Sequence, residues 1–233
     1  VVVPANEWGH DLPAMLAAVT DKTRLMFIAN PNNPTGTWIN SQSLRGLLEK
    51  VPEHVVVLVD EAYFEYASSE ADYPDSSLWL DEFSNLVVTR TFSKAYGLAG
   101  LRVGYGLSHP DVANLLNRVR QPFNNNSLAL VAAETALQDE QYIERSVTVN
   151  QSGMQALIGA FDKLGLKFIA SKGNFICVDF KQPADGIYQA LLKAGVIVRP
   201  VANYGMPNHL RISIGLESEN VRFINELTKI MTL

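Results

Sequence analysis

The stretch Val55-Val56-Val57-Leu58-Val59-Asp60-Glu61-Ala62-Tyr63 runs from an unbroken apolar segment straight into two carboxylates. Five consecutive β-branched or aliphatic residues with no polar alternation read as a strand buried on both faces, the pattern of a parallel sheet between helices. A carboxylate where such a strand emerges costs desolvation free energy unless a cation meets it, so Asp60 is a candidate functional group.

Working outward, further runs at Leu25 to Ala29, Leu86 to Thr89 and Leu101 to Leu107 read as strands of the same kind. Between them, Ser41 to Lys50 and Asp111 to Arg120 carry apolar residues at helical spacing, the latter entered through Pro110. Alternating strands and helices predict an α/β fold with a mainly parallel sheet, whose ligands gather at the carboxyl ends of its strands. From about Ser127 the rhythm changes to two long helical patterns, Leu128 to Gln138 and about Gln141 to Leu164, with Gly165 as the stop. Short β runs follow at Lys167 to Ala170, Asn174 to Phe180, Val196 to Arg199 and Leu210 to Ile214, with helices at Pro183 to Ala194 and Ser218 to Met231. These predict a large cofactor-binding domain over residues 1–140 and a small α+β domain with its connecting helix over 141–233.

Composition narrows the function. The chain has 233 residues, 47% of them hydrophobic, which is enough to build a core, and 19 Lys+Arg against 24 Asp+Glu, a net charge of -5. No basic run answers a phosphate backbone, so nucleic acid is not expected as a partner. No apolar stretch approaches the ~20 residues of a membrane helix, and no signal-peptide pattern opens the chain, so we expect a cytoplasmic protein without a membrane partner. Cys177, the single cysteine, lies within Phe175-Ile176-Cys177-Val178 and reads as a core thiol. There is no nucleotide-binding glycine motif, no H-E-x-x-H and no C-x-x-C, and the four histidines stand singly; a metal site is not expected.

Polar clusters at strand ends remain. Asn30-Pro31-Asn32-Asn33-Pro34-Thr35-Gly36 follows the first strand and alone would be an ordinary turn. Thr91-Phe92-Ser93-Lys94 follows the third, with Arg102 beyond it; hydroxyls beside two cations form a plausible anion cradle. At one edge of a parallel sheet, an acid, a lysine, an anion cradle and an Asn/Tyr pair are what pyridoxal phosphate requires.

Here the chain resembles a known family. Asn32-Asn33-Pro34-Thr35-Gly36, Asp60-Glu61-Ala62-Tyr63 and the block from Ser93-Lys94-Ala95-Tyr96-Gly97 to Arg102-Val103-Gly104-Tyr105 are similar to the motifs of fold-type I, class II aminotransferases. Val198-Arg199-Pro200 and the run from Tyr204 to Gly215, with His209-Leu210-Arg211 inside it, are most similar to the histidinol-phosphate aminotransferases among them. The resemblance implies a pyridoxal 5'-phosphate enzyme of histidine biosynthesis, a homodimer, transaminating between histidinol phosphate and 2-oxoglutarate to give imidazole acetol phosphate and glutamate.

It implies Lys94 as the Schiff-base lysine and catalytic base, and Asp60 on the pyridine nitrogen. Asn33 and Tyr63 would take the phenolic oxygen, Thr91, Ser93 and Arg102 the cofactor phosphate, and Arg211 with Arg199 the substrate anions. An aromatic aminotransferase or a phosphothreonine decarboxylase would share the cofactor. The family's N-terminal portion, with its phosphate loop, ring-stacking aromatic and cross-dimer tyrosine, has no counterpart before Asn30. The expectation is therefore an incomplete large-domain sheet in a chain missing about a third of a family-length protein, and an inactive fragment is the alternative from another class.

Overall fold

A computed structural model of the protein describes residues 1–232, which form two compact units. The first comprises Val1–Pro31 and Trp38–Glu144; the second comprises the short segment Asn32–Thr37 and the chain from Arg145 onward.

The first unit is built on a four-stranded sheet in the order β1 (Leu25–Ala29), β2 (Val56–Asp60), β3 (Leu86–Thr91), β4 (Gly104–Ser108). β1, β2 and β3 are parallel, and the register pairs Ala29 with Asp60 and Asp60 with Thr89, so their carboxyl ends share one edge. The sheet is thus mainly parallel, as expected, with β4 as its antiparallel member. That strand runs antiparallel to β3, because Phe92–Val103 turns back at the same edge instead of crossing the sheet: Phe92 N–H donates to Val103 O (3.2 Å) and Leu98 N–H to Phe92 O (2.9 Å).

Burial on both faces holds for the start of β3, where Leu86, Val87 and Val88 are all buried, and fails at β1. Val57, Val59, Val88 and Ile28 are buried, together with Leu44, Leu47 and Leu48 of α2 (Ser41–Leu48), whereas Leu25 and Phe27 on the other face of β1 are 55% and 63% exposed. Only one face is packed at that edge, against α2 and the partly buried Leu12, Met15 and Leu16 of α1 (Leu12–Ala17). α2 forms where it does because Asn40 Oδ1 accepts the Ser43 N–H at its amino end (2.8 Å) and its leucines fall at i, i+3 and i+4. Burying each of these leucines stabilises the unit by about 1.5–3 kcal/mol.

After the single turn α3 (Phe64–Ala67) come α4 (Pro110–Val119), α5 (Ser127–Ala136) and α6 (Glu140–Lys163). Ala129 and Ala133 of α5 pack with Phe92 and Val103, against the connection that bears Lys94. The division between the two units falls inside α6.

The second unit carries an antiparallel sheet in the order β5 (Lys167–Ile169), β6 (Phe175–Asp179), β8 (His209–Ser213), β7 (Arg199–Pro200). One face buries Ile176, Val178, Leu210 and Ile212 against Leu157 and Phe161 of α6, Leu191 of α7 (Asp185–Lys193), and Phe223 and Leu227 of α8 (Glu217–Met231). The strand expected at Val196 to Arg199 forms only at Arg199–Pro200. Gly195, at φ +74°, ends α7 in a left-handed turn, and Val196 N–H is held by Leu191 O (2.9 Å), so the chain becomes extended later than its apolar run suggests. Among the described residues no helix is long and apolar enough to cross a membrane.

Candidate active site

In the first unit the strand-end edge opens into a cavity of about 420 Å³ lined by Asp60, Ala62, Thr89, Arg90, Thr91, Ser93, Lys94, Arg102, Val103 and Gly104. Thus Asp60, Thr91, Ser93, Lys94 and Arg102 surround one space. The parallel register brings Asp60 beside Thr89, whose hydroxyl donates to Asp60 Oδ1 (3.2 Å). Contrary to expectation, Asp60 is exposed, and the desolvated, cation-paired carboxylate is its neighbour Glu61, which is fully buried against Arg90.

Lys94 sits in a tight turn closed by the Gly97 N–H to Lys94 O bond (2.9 Å). Gly97 has φ +72°, and a Cβ there would lie 2.7 Å from the Tyr142 hydroxyl, so both the backbone shape and the space call for glycine. Lys94 Nζ is 5.3 Å from the ring centroid of the buried Tyr63. Ser93 N–H donates to Thr91 Oγ1 (3.1 Å), which folds the two hydroxyl residues together. Arg102 is left-handed (φ +56°, ψ +48°), a conformation costing an L-residue about 1–2 kcal/mol, with Nη1 on Ala99 O (2.9 Å). Strain of this kind at a cluster of candidate ligand groups points to function.

The other predicted residues lie in the second unit. Asn33 is exposed in the segment Asn32–Thr37, and its Oδ1 accepts from Arg211 Nη1 (2.6 Å). The segment is held by Lys172 N–H to Gly36 O (2.9 Å) and Cys177 Sγ to Pro34 O (2.9 Å). Gly36 at φ +80° lies so close to Ser171 that a Cβ would fall 2.0 Å from its Oγ. Cys177 is a buried thiol, as its apolar setting suggested, and burial pushes its pKa up to about 12.

Arg211 stacks over Phe175 (4.9 Å to the centroid), and its buried Nε finds no partner among the described residues. Arg199 stands directly opposite Arg211 in the β7–β8 register, so two guanidinium side chains share a face. Like charges at opposed positions repel, and an anion between them removes the repulsion. Orphaned nitrogen and paired cations fit a carboxylate or phosphate ligand.

Sequence reasoning overlooked Thr89, Arg90, Glu65 and Asp75. The available signal was Arg90 itself, a charge inside a strand, which requires a buried carboxylate somewhere. Burial pushes the Glu65 carboxyl up to about 7, and its Oε2 has no hydrogen-bond partner among the described residues.

The aminotransferase class I and II family model matches residues 1–226. The chain is 64% identical over 230 residues to histidinol-phosphate aminotransferase 2 of Pseudomonas fluorescens (strain Pf0-1), covering 99% of this chain and 62% of that protein. It is 57% identical over 229 residues to histidinol-phosphate aminotransferase 1 of Nitrosococcus oceani, covering 98% and 62% respectively. The chain therefore spans about 62% of the length of these curated relatives. Its structure is similar, with a TM-score of 0.91 and 31% identity, to the crystal structure of histidinol-phosphate aminotransferase from Sinorhizobium meliloti in complex with pyridoxal-5'-phosphate, covering 100% of this chain and 64% of that one. The fold is that of the fold-type I aminotransferases, and the chain belongs to the class I and II aminotransferase family.

Proposed function

We propose that the protein is a histidinol-phosphate aminotransferase. It exchanges an amino group between histidinol phosphate and 2-oxoglutarate, giving imidazole acetol phosphate and glutamate, as a cytoplasmic homodimer using pyridoxal 5'-phosphate. The carrying observation is the single cavity that collects Asp60, Thr91, Ser93, Lys94 and Arg102. A carboxylate, an amine and an anion cradle within about 420 Å³ fit a small, singly phosphorylated pyridine aldehyde. The high identity to the Pseudomonas and Nitrosococcus proteins supports the choice of substrate.

When bound, the cofactor supplies an electron sink for the negative charge that develops on the substrate carbon. The protein's own residues do the rest. Lys94 Nζ would hold the cofactor covalently and, when free, would act as the base that takes the proton from the substrate carbon and, as its conjugate acid, gives it back. Asp60 would supply the carboxylate that favours a protonated pyridine nitrogen. The Tyr63 hydroxyl and the amide nitrogen of Asn33, whose oxygen is engaged by Arg211, donate to the phenolic oxygen. Thr91, Ser93 and Arg102 hold the cofactor phosphate. Arg211 and Arg199 receive the substrate anions, the carboxylates of glutamate in one half-reaction and the phosphate of histidinol phosphate in the other, since a guanidinium fork matches both.

Amino transfer from glutamate to imidazole acetol phosphate, followed in the purified protein, tests the reading. Turnover there, with a clear preference for phosphorylated over unphosphorylated imidazole and aromatic substrates, is expected. Preference for an unphosphorylated aromatic substrate, or release of carbon dioxide from phosphothreonine, would replace it with the corresponding enzyme of the same class. Sedimentation tests the homodimer.

A further inference from the structure

We infer that Arg90 is a positioning residue for the cofactor edge: through Glu61, Asp75 and Phe64 it fixes the three segments that present Asp60, Tyr63 and Thr91. The inference rests on the proposed function, because it assigns Arg90 a task in shaping that site.

Arg90 Nε and Nη2 both donate to Glu61 Oε2 (3.0 and 2.7 Å), and Nη2 also donates to Asp75 Oδ1 (2.6 Å). Its guanidinium carbon lies 3.4 Å from the centroid of the Phe64 ring. The second oxygen of Glu61 accepts the Ser76 N–H (3.1 Å). Glu61 is fully buried and the Arg90 side chain is 10% exposed.

Two of the partners, Glu61 and Phe64, are chain neighbours of candidate site residues, and Asp75 anchors the guanidinium from a third segment. Glu61 follows Asp60, Phe64 follows Tyr63, and Arg90 lies between Thr89, which donates to Asp60, and Thr91. Strand alternation sends Arg90 to the face opposite the two threonines, so one guanidinium on the far side of the sheet holds what the near side displays.

Stability alone does not account for this arrangement. A buried ion pair roughly breaks even against well-packed apolar residues, because two charges leave water to make it. What the fork adds is direction: the contacts to Glu61 and Asp75 leave little freedom for the ends of β2 and β3 to slide or twist. The surrounding titratable groups are Glu65, Tyr73, Tyr96 and Tyr105, so Arg90 is the cation facing three carboxylates.

Arg90→Lys tests the inference, since it keeps the charge and loses the fork. Three properties of the purified protein and the variant are compared: melting of the cofactor-free form, the dissociation constant for pyridoxal phosphate, and the pH midpoint at which the bound cofactor's absorbance bands interconvert. The expected result is a folded variant that binds pyridoxal phosphate about tenfold more weakly, with a midpoint displaced by about 0.5 pH unit or more, because Asp60 no longer sits squarely.

A folded variant with an unchanged midpoint and an affinity within about twofold of the parent overturns the positioning role and leaves the proposed function standing. A parent protein that melts cooperatively yet takes up no pyridoxal phosphate overturns both. If Arg90→Lys does not fold, Asp75→Asn, which spares the Glu61 contact, is expected to displace the midpoint and weaken binding by about two- to fivefold. No displacement and no weakening there overturn the inference.

Discussion

The strand-end edge of the first unit and the arginine face of the second handle the same side chain in opposite ways. Arg90 is enclosed and its charge is answered from within, by Glu61 and Asp75. Arg211 stands across from a second arginine, donates to the neutral amide oxygen of Asn33, and keeps a buried nitrogen without a partner among the described residues. A guanidinium with its carboxylates supplied acts as scaffold, because Nε and Nη2 are already engaged. One whose carboxylates are withheld is poised for an anion from outside, and desolvation already incurred at Nε makes that anion bind more strongly. The difference separates groups that shape the site from groups that read the substrate.

Three substitutions test how far this separation extends. Lys94→Ala is expected to have the largest effect, a loss of turnover on the order of 10⁴-fold, with melting changed little because the side chain is only partly buried; normal turnover would remove Lys94 from the chemistry. Phe161→Ala empties the core beneath the sheet that carries the arginines, where Phe161 is fully buried beside Phe168 and Phe223. It should cost about 3–5 kcal/mol in denaturant unfolding. A cost confined to one of two resolved transitions would show that the units unfold separately. Arg211→Lys should raise the KM for both substrates by roughly 10- to 100-fold while the absorbance of the bound cofactor stays as in the parent. An altered spectrum with an unchanged KM would reverse the division of labour drawn above.

How much of this the sequence shows depends on range. β1, β2 and β3 are legible because short continuous apolar runs bounded by polar residues have the length and composition of strands, and α2 because Asn40 precedes leucines at helical spacing. The direction of β4 is not, since a strand pattern reads the same both ways, and the return at Phe92–Val103 depends on backbone bonds formed by the fold. α1 is too short to show a period, although Asp11 and Pro13 mark its start. The openness of β1 at Leu25 and Phe27 is invisible to a rule that equates apolar with buried.

In the site, Asp60, Thr91, Ser93 and Lys94 are recognisable because each follows a strand directly. Arg90 meets Glu61 across 29 positions, and Arg211 meets Asn33 across 178, so no local pattern joins them. The misreading of Asp60 as the desolvated carboxylate is an error of one residue. The buried strand does end in a costly carboxylate, but alternation places Glu61, not Asp60, in the interior.

The smallest predicted effect concerns the carboxylate that Arg90 leaves over. Glu65 is buried beside the Arg90 cluster with one oxygen unpartnered; burial, chiefly, and the charge of Glu61 raise its pKa from 4.5 to about 7, against the opposing pull of Arg90. A carboxyl whose folded pKa is raised contributes stability that is complete below its unfolded value near 4.5 and is lost as pH climbs through about 7. Glutamine keeps the shape and never ionises. Glu65→Gln should therefore differ little from the parent in unfolding free energy at acid pH and become more stable than it by about 1–2 kcal/mol by pH 8, most of the change falling between the two pKa values. A difference that stays flat across that window would mean that Glu65 is ionised throughout, a third carboxylate facing the single charge of Arg90. The first unit's charge would then be unfinished in the opposite sense to the second's, with surplus anion where the arginine face has surplus cation.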